Sequence, residues 1–358
     1  MSSSFGERVR FQIFGQSHGE AIGVVIDGLP AGEAVDIDAL RAFLGRRAPG
    51  NAAYATKRKE ADEPEFLSGL IDGYTCGAPV CAVIRNTNAR SNDYSDVKAV
   101  PRPGHADFAA MLRDGEHADL RGGGHFSGRL TAPLCVAGGV AKQILARRGV
   151  TIGAHIAAIA GIADMPYDPV AVTKQELLYA SAAEFPVLDP EAGARMREAI
   201  LEAAKEGDSV GGIVECCAIG LEPGKLGRGM FGGIESRLAP VLFGIPAVKG
   251  VEFGLGFAAA ALKGSENNDP FGVAGRRVLP LSNNHGGVLG GISSGMPLLF
   301  RVTFKPTPSI AKPQQSVNMQ TLEPETLIIH GRHDPCIVPR AVPVAEAAAA
   351  CVLLDMML

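Results

Sequence analysis

Strand-like and helix-like segments do not alternate along this chain, and that order limits the fold more than any other feature. VRFQIFG (9–15) is followed almost at once by a second strand-like run, IGVVIDG (22–28). Further runs are PVCAVIRNT (79–87), GGIVECCAIG (211–220) and LLFRVTFKP (298–306). Helical signals fall elsewhere. DIDALRAFLGRR (36–47) has acidic caps and an apolar face through Ile37, Leu40, Phe43 and Leu44. TAPLCVAGGVAKQILARRG (131–149) has Pro133 near its start, DPEAGARMREAILEAAKEG (189–207) has Pro190 as its second residue, both close on a glycine, and VPVAEAAAACVLLDMM (342–357) lies at the end of the chain. A doubly wound parallel sheet would need strict alternation, so an antiparallel α+β architecture is favoured. No low-complexity linker divides residues 1–358, and a single domain is expected.

Composition narrows the function. Hydrophobic residues make up 46% of the 358, enough for a sizeable core, and a net charge of −4 argues against a nucleic-acid binder. Positive charge is local, at Arg46–Arg47, Lys57–Lys59 and Arg276–Arg277, as suits a small anionic ligand. MSSSFGERVR lacks an apolar signal segment and no run of 18 apolar residues occurs, so no membrane association is expected and the expected location is cytoplasmic. The seven cysteines form no C-x-x-C pair and the histidines lack ligand spacing, so no metal is expected.

RGGGHFSGRLTAP (121–133) has the Gly123-x-x-x-x-Gly128 spacing of a phosphate-binding loop, but Arg129-Leu130 stands where Lys-Ser/Thr belongs. Gly15-Gln16-Ser17-His18-Gly19 matches the nucleophile elbow of serine hydrolases, which requires a strand–turn–helix context. PRPGHADF places His105 after a tight turn with Arg102 three residues upstream. Lys305, Arg332, His333, Asp334 and Arg340 fall in stiff Pro-bounded loops, and repeated arginine in such loops suits a polyanion. No G-x-G-x-x-G lies between a strand and a helix, which speaks against dinucleotide binding. From these residues alone a serine hydrolase and a non-catalytic anion-binding module both stay open.

Taken in order, FGQSHGEAIGVVIDGLPAG, RRAPG, FLSGLIDGYTCGAPV, RPGHAD, RGGGHFSGRLTA, GDSVGG, IESRLAPVLFGIPAVKGVEFGLGF, NNHGGVLGGISSGMPL, KPTPSI and GRHDPCIVPRAVP resemble the chorismate synthase family over essentially the whole chain. The resemblance implies a β–α–β sandwich of antiparallel sheets around a helical layer, assembled as a homotetramer. It implies a lyase that converts 5-enolpyruvylshikimate 3-phosphate to chorismate and phosphate by anti-1,4 elimination. That reaction, in the shikimate pathway toward aromatic amino acids, requires reduced FMN (FMNH2) without net redox change. With no flavin-reducing domain apparent, NADPH would serve as an indirect reductant through a separate flavin reductase.

By the same resemblance, His18 stands at the leaving phosphate and His105 keeps the flavin in its productive protonation state. Asp334 is the carboxylate beside the flavin that relays the departing C6 proton, with Ser17 and Ser127 linking these groups. His125, Phe126, Ser127, Pro246, Ala247, Gly290, Lys305, Pro306, Thr307, Pro308, Ser309 and Arg332 match cofactor positions, and Arg47, Arg129 and Arg340 match substrate cations. The chain departs from the family pattern at Gln16, His125, Phe126, Gly128 and Leu130. Ala48 and Ala53 stand where arginine is common.

Overall fold

The computed structural model describes residues 3–48, 62–86, 99–329 and 334–358. Among them are α1 (Ile37–Arg47), α2 (Asp107–Asp114), α3 (Thr131–Arg147), α4 (Lys174–Ala182), α5 (Pro190–Lys205), α6 (Ile234–Phe243), α7 (Gly264–Asn267) and α8 (Val338–Met357).

Two five-stranded antiparallel sheets flank the central helices. In the first, strands run in the spatial order Ser4–Phe5, Arg10–Gly15, Ala21–Asp27, Val80–Arg85, Glu65–Ser68. In the second, the order is Val248–Phe253, Leu298–Phe304, Gly212–Ile219, Thr151–Ile159, Ile162–Ala163. Helix α3 packs on the first sheet and α8 on the second, while the two helices pack on each other. This is the expected β–α–β sandwich. The pleat divides the second sheet: Cys216, Leu298 and Phe300 face the α8 side, whereas Cys217 and Leu299 join Leu177 of α4 on the other.

The sequence explains why α8 is central. Its residues are apolar around the whole circumference and buried from Val338 and Ala341 to Asp355, as a helix without a solvent face must be. Small residues set how closely it meets α3. A Cβ at Gly138 would lie 2.3 Å from the Cα of Ala347, so the two helix backbones touch there. The one acid in the middle of α8, Glu346, is fully buried and receives Arg46 of α1 at 2.6 and 3.0 Å, Lys142 of α3, and the Ser181 hydroxyl of α4 at 3.2 Å. Burial disfavours its charge, but Lys142 and Arg46 outweigh that and hold its pKa down to about 2. Helix starts follow the expected rules: Asp36 accepts from the Ala39 amide at 3.0 Å, and Asp189 precedes Pro190 and accepts from Glu191 N.

Candidate active site

The glycine-rich loop precedes α3. Gly122, Gly123 and Gly124 have φ of +62°, +116° and +54°, a region that an L side chain enters at a cost. What surrounds them explains the choice. A Cβ at Gly122 would lie 2.0 Å from His18 Cε1, and one at Gly123 would lie 3.2 Å from His105 Nε2. At Gly124 it would strike the carbonyl oxygen of Asp119 at 2.2 Å. The glycines let two histidine rings, delivered by segments far apart in sequence, lie against one stretch of backbone. The loop is built around histidines, which accounts for the missing P-loop lysine.

Ser17 and His18 sit in the turn between the antiparallel strands Arg10–Gly15 and Ala21–Asp27. A hairpin is not the strand–turn–helix that a nucleophile elbow needs, so the hydrolase reading of Ser17 is corrected. The Ser17 hydroxyl donates to the carbonyl of Arg121 at 3.2 Å and lies 3.1 Å from His18 Nδ1. A hydroxyl has one proton, so with that bond made Nδ1–H of His18 is the donor to Ser17 Oγ.

His105 precedes α2. Its Nδ1 lies 2.6 Å from Asp107 Oδ1, and Asp107 also accepts from Arg102 Nε at 2.6 Å and Nη2 at 2.8 Å. Arg102 and Asp107 are 2% and 1% exposed. Arg102 Nη1 reaches on to the Ser309 hydroxyl at 3.2 Å, tying the 305–309 segment to His105. Burial would raise the Asp107 pKa, yet the bonds from Arg102 and His105 prevail and hold its carboxyl well below the usual range.

These groups border a cavity of about 1150 Å³. Of the expected residues, His105, His125, Phe126, Ser127, Pro246, Ala247, Lys305, Thr307, Pro308, Ser309 and Asp334 line it, as do the three arginines Arg47, Arg129 and Arg340. His18 sits one layer back, packed on Gly122, which is itself in the wall. Ser17 and Pro306 are outside the lining. Gly290 is not brought to this cavity: it lies in the hairpin turn joining Val288–Leu289 to Ile292–Ser293, with open space where a Cβ would be. Arg332 and His333, with Ala53, fall outside the described residues.

The arginines are not isolated. Asp62 accepts from Nη1 of both Arg47 and Arg129, one on each carboxylate oxygen, and is itself 2% exposed. Burial opposes its charge, but the two guanidiniums hold its pKa below the ordinary carboxylate value. Arg340 donates to Asp334 Oδ2 at 2.5 Å and, through Nε, to the backbone carbonyl of Arg47 at 2.9 Å. Three cations and two acids thus form one connected array. Elsewhere in the lining Lys305 Nζ donates to the Gly104 carbonyl at 2.9 Å. Burial, with Lys249 nearby, lowers its pKa.

Two features there suit a ligand. Thr307 Oγ1 is buried and meets no hydrogen-bond partner among the described residues, a costly state for a hydroxyl that a polar ligand would relieve. Ala247 holds a left-handed backbone at φ +74° while its carbonyl accepts from Lys305 N at 3.0 Å. Such strained positions concentrate at binding sites.

Comparison with known proteins decides the family. The chorismate synthase family model matches residues 9–358. A chorismate synthase of Lancefieldella parvula is 46% identical over 99% of this chain and 96% of its own length. One of Thermococcus gammatolerans is 47% identical over 99% of this chain and 97% of its own. The chain belongs to the chorismate synthase family. A solved chorismate synthase crystal structure superposes with a TM-score of 0.74 at 29% identity, covering 98% of this chain and 92% of that one. Family membership makes the chain a lyase of the shikimate pathway and agrees with the α+β sandwich found above.

The departures from the chorismate synthase pattern now have physical contexts. His125 uses both ring nitrogens: Nδ1 lies 2.8 Å from the Gly15 carbonyl and Nε2 2.5 Å from Ser3 Oγ. It therefore offers the cavity a ring surface and pins the hairpin that carries His18. Phe126 receives the Arg113 guanidinium 5.4 Å from its ring centroid, and Leu130 is core, 6% exposed. Asp62, Arg102, Asp107 and Lys249 went unassigned in the sequence. For the second and third, the spacing R-x-x-H-x-D at a helix start was an available signal.

Proposed function

We propose that this chain converts 5-enolpyruvylshikimate 3-phosphate to chorismate and phosphate by anti-1,4 elimination, with reduced FMN bound in the 1150 Å³ cavity. The observation that carries the reading is the convergence of His105, Asp334 and three arginines on one cavity that also holds the unpartnered Thr307 hydroxyl. Lys305, Thr307, Pro308, Ser309, Ala247, Phe126 and Ser127 would hold the flavin, and the orphaned Thr307 Oγ1 fits a polar group of that ligand. When bound, the reduced flavin supplies electron density to an elimination that has no adjacent carbonyl to help it.

The residues of the chain bind, orient and move protons. Arg47, Arg129 and Arg340 pair with the phosphate and the two carboxylates, for which guanidiniums that remain charged when buried are the suitable partners. His18, its Nδ1–H held by Ser17, would in its cationic form donate the Nε2 proton to the departing phosphate, help worth about 10²–10⁴-fold in rate. Asp334, oriented by Arg340, is the carboxylate that relays the departing C6 proton. His105 presents Nε2 to the flavin. The chain works as one domain in the cytoplasm and takes its flavin already reduced, with NADPH acting through a separate reductase. It assembles as a homotetramer, a reading supported by large apolar side chains left exposed, among them Phe257 at 84% and Phe231 at 82%. The deciding experiment is an anaerobic assay with photoreduced FMN, following phosphate release and chorismate absorbance together. Equal turnover with oxidised FMN and no reductant would sink the proposal.

A further inference from the structure

We propose that Asp107, clamped by Arg102, is the positioning residue that fixes the tautomer of His105 and aims its Nε2 acceptor at the cavity. The inference rests on the reading of this cavity as the flavin and substrate site, but the geometry behind it is local. The Asp107 carboxylate receives four donors: Arg102 Nε at 2.6 Å, Arg102 Nη2 at 2.8 Å, the Arg102 backbone amide at 3.2 Å and His105 Nδ1 at 2.6 Å. A carboxylate so held is ionised and can only accept. The proton of the 2.6 Å bond therefore belongs to His105 Nδ1. Arg102 Nη2 also lies 3.2 Å from that nitrogen, but both are then N–H groups directed at the same carboxylate oxygen, so this approach is not a hydrogen bond.

With Nδ1 committed, the neutral ring can carry no second proton, and Nε2 is left as the acceptor. It points past Gly123, the position where a Cβ would approach it to 3.2 Å. Among the described residues, four charged groups lie around the ring or along the cavity lining beside it. Arg102 and Asp107 face it directly, Lys305 is tethered to the carbonyl of the adjacent Gly104, and Lys249 lines the same wall. Arg102 keeps Asp107 from accepting a proton, so the carboxylate remains the acceptor of the Nδ1–H bond. An ion pair serving only to lock the loop would not need the histidine on the carboxylate oxygen that Arg102 Nη2 also uses. Which imidazole nitrogen carries the proton is set by the bond the other makes, and here that bond comes from a carboxylate that is 1% exposed.

The test uses full-length protein labelled with ¹⁵N-histidine, with no cofactor added. Long-range ¹H–¹⁵N correlations read the tautomer of each ring, and His105→Gln identifies the His105 signals. The wild type should show a neutral ring protonated at Nδ1, and Asp107→Asn should populate the Nε2–H form. In the reduced-flavin assay, Asp107→Asn should lose about 10²-fold or more in kcat, as wrong-tautomer variants of carboxylate–histidine pairs do. KM should change little, the pH profile should shift, and the His105→Gln/Asp107→Asn double variant should be no worse than His105→Gln. An Nε2–H wild-type ring overturns the proposal even if the variant does not fold, and so does an Asp107→Asn protein that keeps the wild-type tautomer. A tautomer change without loss of turnover would leave the positioning intact and refute the catalytic reading of His105 instead.

Discussion

Replacing Gly122 with alanine tests how the glycine loop serves the site. The added Cβ would lie 2.0 Å from His18 Cε1 and 2.2 Å from Nδ1. Ordinary carbon contacts begin near ~3.5 Å, so ring and loop must part by about 1.5 Å. The ring cannot retreat that far and keep its 3.1 Å contact with Ser17 Oγ. A further cost comes from placing alanine at φ +62°, about 1–2 kcal/mol for an L residue. A displacement of about 1 Å at a reacting group can lower turnover about 10²-fold, and that is the expected loss in kcat here. Gly115→Ala supplies the control. Gly115 has φ +57° and open space where a Cβ would be, so its variant carries the backbone cost alone. Both proteins should melt a few degrees lower, while only Gly122→Ala should lose turnover in the anaerobic assay with photoreduced FMN. Wild-type turnover in Gly122→Ala would refute the view that this loop places His18.

Three other outcomes follow from the buried charges. Asp334→Asn keeps size and the bond from Arg340 but removes the basic oxygen, so turnover should fall at least about 10²-fold with FMN affinity nearly unchanged; loss of flavin binding, read by fluorescence titration, would make Asp334 structural instead. Glu346→Gln leaves Arg46 and Lys142, 23% and 20% exposed at their side chains, without their shared counter-ion. Breaking such a buried network costs about 3–5 kcal/mol, and a urea midpoint within error of wild type would contradict it. His155 lies between Asp164 at 2.9 Å and Glu215 at 3.0 Å; burial lowers its proton affinity, but the two acids win and raise its pKa. Its stabilisation is fully present below the unfolded value of ~6.5 and is lost as pH rises through the folded one. Thermal stability should therefore decline on the alkaline side, less steeply in His155→Gln; a slope that is unchanged in that variant would exclude the contribution.

Much of the frame could be read in the chain itself. Helices α1, α3 and α5 lie where caps and apolar periodicity predict them, and all five strand-like runs form strands; α8 starts four residues earlier than expected, at Val338, so Arg340 stands in its first turn and not in a loop. Thr151–Ile159 went unread because its TIGAHIAAI is small-residue-rich and carries His155, whose two acid partners come from elsewhere in the fold. Helix α6 contains Pro240, which argues locally against a helix and is overridden by the packing of Ile234, Leu238 and Leu242 in the core. Both candidate catalytic histidines were visible as motif residues. Asp62 was not, because it is 15 residues from Arg47 and 67 from Arg129, and no spacing rule spans such distances.

The acids that pair with this cavity's arginines, Asp334 in the lining and Asp62 behind it, bear on how an anion would be held there. Arg47 is 3% exposed and Asp62 2%. A guanidinium buried that far without a counter-charge would be destabilising and free to swing, whereas Asp62 holds two of them on its two oxygens. Each guanidinium has five N–H donors in a rigid fork, and the carboxylate engages one nitrogen of each. The pair is therefore aligned before any ligand arrives, and less entropy is lost on binding than two mobile side chains would lose. Partial neutralisation also limits how tightly anions are retained. On the proposed reaction, the substrate brings a phosphate and two carboxylates, and the product keeps only the carboxylates. A site whose cations were wholly uncompensated would hold both strongly. One offset by Asp62 and Asp334 depends more on the phosphate, the group that leaves. Asp62→Asn should accordingly slow chorismate release, or lower KM, as long as the arginines stay in place.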